Sequence, residues 1–242
     1  MPEIIQDRLP LVPLVYALLG YFGLQLILSV AIRIWLKRAK TQPIAAVTTA
    51  FWAGLVSALY LVVISVLLHI WNLAPNAERP PANMLWWGLG GVPLGVVLWY
   101  VLVMARKLGI ALFGSSQLVA AEDAILNIIP HPRYLSWGLI NLAVIQPLGR
   151  ELFMRGVFLP VVALNMGWGW AVGTTLVIEL WLRMNVVWLF ASAFYVFVMC
   201  GLFYLSGNAL CGLVAASVAG LIHGIALAYV AVKAVAEERD SQ

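Results

Sequence analysis

Long apolar runs constrain this chain more than any other feature. A helix rises about 1.5 Å per residue, so roughly 20 apolar residues cross the ~30 Å hydrocarbon core of a bilayer. Seven segments fit that length: Leu11–Trp35, Ile44–Trp71, Leu85–Ala105, Leu135–Phe158, Trp168–Met184, Val186–Leu205 and Ala209–Val232. None alternates with period two, so their backbone groups are satisfied within helices rather than around a closed barrel. The expected fold is all-α: one integral-membrane domain over residues 1–242, a bundle of about seven transmembrane helices. Charge content agrees, because only 10% of the 242 residues are charged, against about a quarter in a soluble globular protein. Met1 to Pro10 carries Glu3 and Asp7 and lacks a basic start, so no cleavable signal peptide is expected.

The loop charges set an orientation. Arg33, Lys37, Arg38 and Lys40 follow the first span, Arg106, Lys107 and Arg133 the third, Arg183 the fifth, and Lys233 and Arg239 the last. Arg8 and Arg79 fall on the other side. With seven spans the bias leads one to expect the N-terminus outside and the C-terminus in the cytoplasm, and the expected location is a bacterial-type plasma or inner membrane. It also accounts for the net charge of +4, so the expected surroundings are a lipid bilayer and another membrane protein, with no nucleic acid. Between the third and fourth spans, Gly114–Pro130 mixes an apolar stripe with Glu122, Asp123 and Asn127, and reads as an interfacial helix or an ordinary connecting one. Cys200 and Cys211 have neither disulfide nor metal-ligand spacing and read as small buried residues. Small residues in Leu89–Val96 allow close approach of another helix.

Ionisable residues inside a span are costly, about 2.5–3.5 kcal/mol each on insertion scales, so they turn inward and mark sites. The fourth span carries Arg150, Glu151 and Arg155, and the fifth carries Glu179 and Arg183. Glu151 and Arg155 stand i,i+4, as do Glu179 and Arg183, each with the acid on the N-terminal side. Arg150 is left over, and a guanidinium cannot shed its charge by losing a proton. If Arg183 extends to the interface, Glu179 is the carboxylate within its reach. An Arg150–Glu179 contact between the two spans is therefore expected. His223 is the one histidine deep in an apolar run, with structural hydrogen bonding its commonest role and catalysis the sharper alternative.

QPLGRELFMRG, Gln146 to Gly156, resembles the first motif of the CAAX protease and bacteriocin-processing (CPBP) family, intramembrane endopeptidases whose pattern is a proline shortly before E-E-x-x-x-R-G. The resemblance extends over Pro130–Val232, with spans before residue 113 resembling nothing specific. It implies a helical protease-like core in which Glu151, Arg155, Gly156 and His223 match family positions. Three positions depart from the pattern. Arg150 stands where the family carries the glutamate that activates water, Leu182 where it carries a histidine, and Leu227 where it carries an oxyanion-binding asparagine.

Hydrolysis needs a general base and oxyanion donors, each worth a factor of about 10² or more in rate, and a permanent cation cannot serve as base. Metal assistance fares no better, because Glu151 and His223 are two ligands where a catalytic zinc wants three. No metal or cofactor is expected. The favoured reading is a protease-like fold that has lost catalysis and binds, scaffolds or assembles another membrane protein. The Glu151–Arg155, Arg150–Glu179 and Glu179–Arg183 ion pairs then hold the fold, and Gly156 permits close helix packing. The alternative is an active endopeptidase using Glu151 or Glu179 as base and His223 as oxyanion or water ligand. A transporter is least favoured, because the charges do not recur along several spans.

Overall fold

The computed structural model of the chain describes residues 11–38, 43–71, 81–113, 139–183, 189–207 and 209–240. Among these, all but Trp71, Gly167, Gly207 and Ala209 are helical. The elements are α1 (Leu11–Arg38), α2 (Pro43–Ile70), α3 (Pro81–Phe113), α4 (Gln146–Phe153), α5 (Leu159–Met166), α6 (Trp168–Arg183), α7 (Leu189–Ser206) and α8 (Leu210–Asp240). Proline opens α2 and α3, where its missing N–H costs nothing and its fixed φ suits the first turn. Gly167 (φ 90°) separates α5 from α6, and Gly207 (φ 69°) follows α7. Both adopt a left-handed backbone that glycine enters without steric cost.

Among the described residues, three stretches, Leu11–Ile32, Trp52–Ile70 and Leu85–Leu112, are long and apolar enough to cross a membrane, and Phe190–Ser206 and Leu210–Ala226 are shorter apolar helices. Large apolar side chains such as Val12, Leu19, Leu26 and Ile27 point outward along α1, as a lipid-facing surface requires. This is a helical membrane protein. The expected fourth span, Leu135–Phe158, is different in form: helix continues past Phe158 to Met166 and is interrupted twice by π-helical turns, Asn141–Ile145 and Met154–Phe158. The expected interfacial helix at Gly114–Pro130 lies outside the described residues.

Both π turns have a cause in the sequence. Each is followed by one residue and then a proline, Pro147 in one case and Pro160 in the other. A proline ring inside an α-helix clashes with the carbonyl four residues back and cannot donate to it. Widening the preceding turn to i→i+5 bonding, with Gln146 N–H donating to Asn141 O and Leu159 N–H to Met154 O, accommodates the ring without ending the helix. Arg150 and Glu151 therefore lie between the two widened turns, and Arg155 lies within the second.

Helix packing relies on glycines at close crossings. α8 lies along α3 over their most extensive contact. A Cβ at Gly95 would lie 2.6 Å from Val218 Cβ and 2.7 Å from Ala215 O, and one at Gly91 would lie 2.8 Å from Cys211 O. The helix that the small residues of Leu89–Val96 admit is thus α8 of the same chain. At the crossing of α4 with α2, a Cβ at Gly149 would lie 2.7 Å from Ala58 O. Gly156 departs from expectation, since a Cβ there would meet nothing within 4 Å among the described residues. It sits in the second π turn, and no described residue packs closely against it.

Two apolar clusters form the core. One joins α1, α2, α5 and the second π turn to Val196 and Cys200 of α7. The other joins α3 and α8 to Tyr195 and Met199 of the same helix. Polar side chains elsewhere are mostly satisfied within their own helices: Ser65, Thr175 and Asn165 each donate to a carbonyl one turn back, at 2.6–2.8 Å. Gln25 of α1 donates to Ser57 of α2 at 2.8 Å.

Candidate functional site

Where the two clusters meet, five side chains form one buried network: Arg150 and Glu151 of α4, Arg155 of the second π turn, Glu179 of α6 and Tyr195 of α7. Arg150 forks onto Glu179, its Nε donating to Oε1 at 2.7 Å and its Nη2 to Oε2. This is the contact that the leftover charge on the fourth span leads one to expect. Arg155 Nη1 bridges the two acids, donating to Glu151 Oε1 at 3.3 Å and Glu179 Oε1 at 3.2 Å. The expected i,i+4 pair is therefore half of a shared contact. Tyr195 donates its hydroxyl to Glu151 Oε1. Its ring lies beneath both guanidinium groups, with Arg150 Cζ 4.5 Å and Arg155 Cζ 5.4 Å from the centroid, within cation–π range.

Burial decides what the network can do. Arg155, Glu151 and Glu179 expose 1% or less of their side chains, while Arg150 exposes 24%. Two arginines and two glutamates sum to zero formal charge, the condition under which charges survive in a low-dielectric interior, since each lone ion there costs several kcal/mol. The bidentate fork matches the planar guanidinium to the carboxylate and adds geometric specificity. Three helices and a π turn are tied at one point, and Arg150 is the only member of the five to reach the surface.

Some expected partners are not joined here. Arg183 ends α6, and its side chain, with the expected Glu179–Arg183 pair, lies outside the described residues. His223 does not share a site with Glu151. A Cβ on Gly212 of α8 would lie 3.3 Å from Glu151 Oε2, which fixes where α8 passes the acid. His223 is three turns further along the same helix, about 16 Å by helical rise. Among the described residues, no three histidine, cysteine or acidic side chains come together as a metal ion needs. Cys200 and Cys211 are buried free thiols.

Tyr195 was not legible as a member. Its one sequence signal is a polar-tipped aromatic inside FASAFYVFVMC, and such a hydroxyl finds a partner when buried. Tyr195→Phe removes a hydrogen bond to a charged acceptor and is expected to cost about 1.5–3 kcal/mol. A lowered unfolding midpoint in detergent would show it.

Comparisons of the chain with known protein families, with curated proteins and with solved structures gave no match.

Proposed function

We propose that this chain is a non-catalytic membrane subunit, a divergent relative of the CAAX protease and bacteriocin-processing proteins that binds or scaffolds another membrane protein. One observation carries the reading: the two carboxylates available as bases are both held by guanidinium groups, with Arg155 bridging them and Arg150 forked onto Glu179. Glu179 has both oxygens on guanidinium groups and Glu151 has one oxygen so engaged, so a water approaching either acid meets a carboxylate already ion-paired. Arg150, at the position of the family's base, supports the same reading. In this proposal the chain crosses the membrane seven times, with its N-terminus outside and its C-terminus in the cytoplasm of a bacterial-type membrane.

The competing reading, an active endopeptidase, has one observation in its favour. Glu151 Oε2 is buried with no hydrogen-bond partner among the described residues, and a carboxylate oxygen in that state can hold a water. The distance to His223 weighs against it.

The test is purification in mild detergent from the native source, of wild type and of Glu151→Gln and His223→Ala variants. A membrane-protein partner is expected to co-elute stoichiometrically and full-length with all three. A partner that is truncated beside the wild type and intact beside either variant overturns the proposal.

A further inference from the structure

A groove of about 470 Å³ opens on the outer surface between α3 and α7, far from the charged network in composition: its lining is Val101, Met104, Ala105 and Leu108 of α3 with Phe190, Phe194 and Phe197 of α7. We propose that it holds an acyl chain of an acidic phospholipid, with the lipid's phosphate on Lys107.

Its length selects the occupant. The α3 wall spans Val101 to Leu108 and the α7 wall Phe190 to Phe197, each seven residues apart and so about 10 Å long. One leaflet contributes about 15 Å of the ~30 Å hydrocarbon core. The groove thus covers most of a single leaflet and stops, as an acyl chain does. A partner's transmembrane helix, about 30 Å long, would run on well past both ends of it.

The lining chemistry points the same way. Helix–helix contacts in membranes depend on small residues that let backbones approach and on polar groups that bond across. This groove has one alanine, three phenylalanines and no polar side chain. Ridged aromatic walls suit a flexible chain that can follow them. They would hold a helix at a distance.

Position and charge supply the headgroup. The groove takes in the first turns of α7, which begins at Leu189, and the part of α3 that approaches the end of its apolar stretch at Leu112. One end therefore lies towards the membrane surface. Lys107 is exposed there, next in sequence to the lining residue Leu108. Its long stem can run along apolar surface while the ammonium reaches the headgroup layer, and a basic residue near an anionic leaflet is attracted to it.

Native mass spectrometry of the full chain, offered equimolar phosphatidylglycerol and phosphatidylcholine of matched chains, tests this. Wild type is expected to retain one lipid, phosphatidylglycerol at least five-fold over phosphatidylcholine. Ala105→Trp and, separately, Leu108→Trp fill the groove and are expected to remove the retained lipid while both proteins keep their helical content and elution volume. Lys107→Gln is expected to keep the lipid and lose the preference. Undiminished retention in both folded tryptophan variants, or unchanged preference in Lys107→Gln, overturns the proposal. So does a photoreactive benzoylphenylalanine at Phe194 that cross-links to a protein instead of a lipid. None of these outcomes depends on whether the buried network is catalytic.

Discussion

Arg155→Met is expected to destabilise the protein by about 3–5 kcal/mol, the cost of leaving buried ions without their partner. The reason lies in the charge count of the network. Wild type has two guanidinium groups against two carboxylates, and Arg155, 1% exposed, is the one that touches both acids. Without it Glu151 keeps only the Tyr195 hydroxyl, and the buried site carries a net negative charge. The double variant Arg155→Met, Glu151→Gln restores neutrality and leaves the Arg150–Glu179 fork in place. It is expected to recover more than half of the loss, although it changes more residues. Reversible unfolding in mixed micelles, with the four proteins of the cycle, measures the coupling directly. A double variant as unstable as the sum of its singles would show that Arg155 acts through packing volume and not through charge.

Gly149→Ala is the second large effect, and a single methyl group produces it. The added Cβ would lie 2.7 Å from Ala58 O and 2.9 Å from Ala58 Cα, both backbone atoms that no rotamer change can move aside. α2 and α4 have to separate, at a cost of about 1–3 kcal/mol for overpacking, and α4 carries Arg150 with it. Gly95→Ala at the α3–α8 crossing is expected to behave alike, with Ala215 O 2.7 Å from the new atom. Gly156→Ala is the control. Among the described residues nothing lies within 4 Å of its new Cβ, so the change is expected to be neutral or, through helix propensity, stabilising by up to about 1 kcal/mol. The unfolding midpoints rank the three, and a Gly156 variant as damaged as the Gly149 variant would refute the assigned crossings.

The glycines show where sequence reading reaches its limit. Composition says that small residues permit close approach, and so Gly156, beside the charged motif, looked like the packing glycine. Whether a missing Cβ matters depends on what lies opposite, which is a property of the neighbouring helix. Gly149, seven residues earlier, faces the backbone of α2, while Gly156, inside a π turn, meets no described neighbour within 4 Å. That turn was itself written in the sequence as a proline, Pro160, four residues on.

The charges were more legible. A buried guanidinium must find an acceptor, and elimination left Glu179 for Arg150. What elimination cannot supply is sharing: Arg155 bridges two acids, and Tyr195, sixteen residues after Glu179, closes the network from a third helix. Distances along a chain do not encode which helix packs beside which.

The apolar runs by themselves determined that this is a helical membrane protein, because the backbone of a lone chain in lipid has few ways to satisfy its hydrogen bonds. They also required that charges falling within apolar segments find partners. Only the tertiary structure decided that Tyr195 meets Glu151 and that Arg155 reaches Glu179 as well, while His223 lies about three turns along α8 from the residue that passes Glu151. Pairing is demanded locally by the cost of a bare charge, but the partner is chosen by where helices cross, and those crossings depend on glycines and prolines acting between segments distant in sequence.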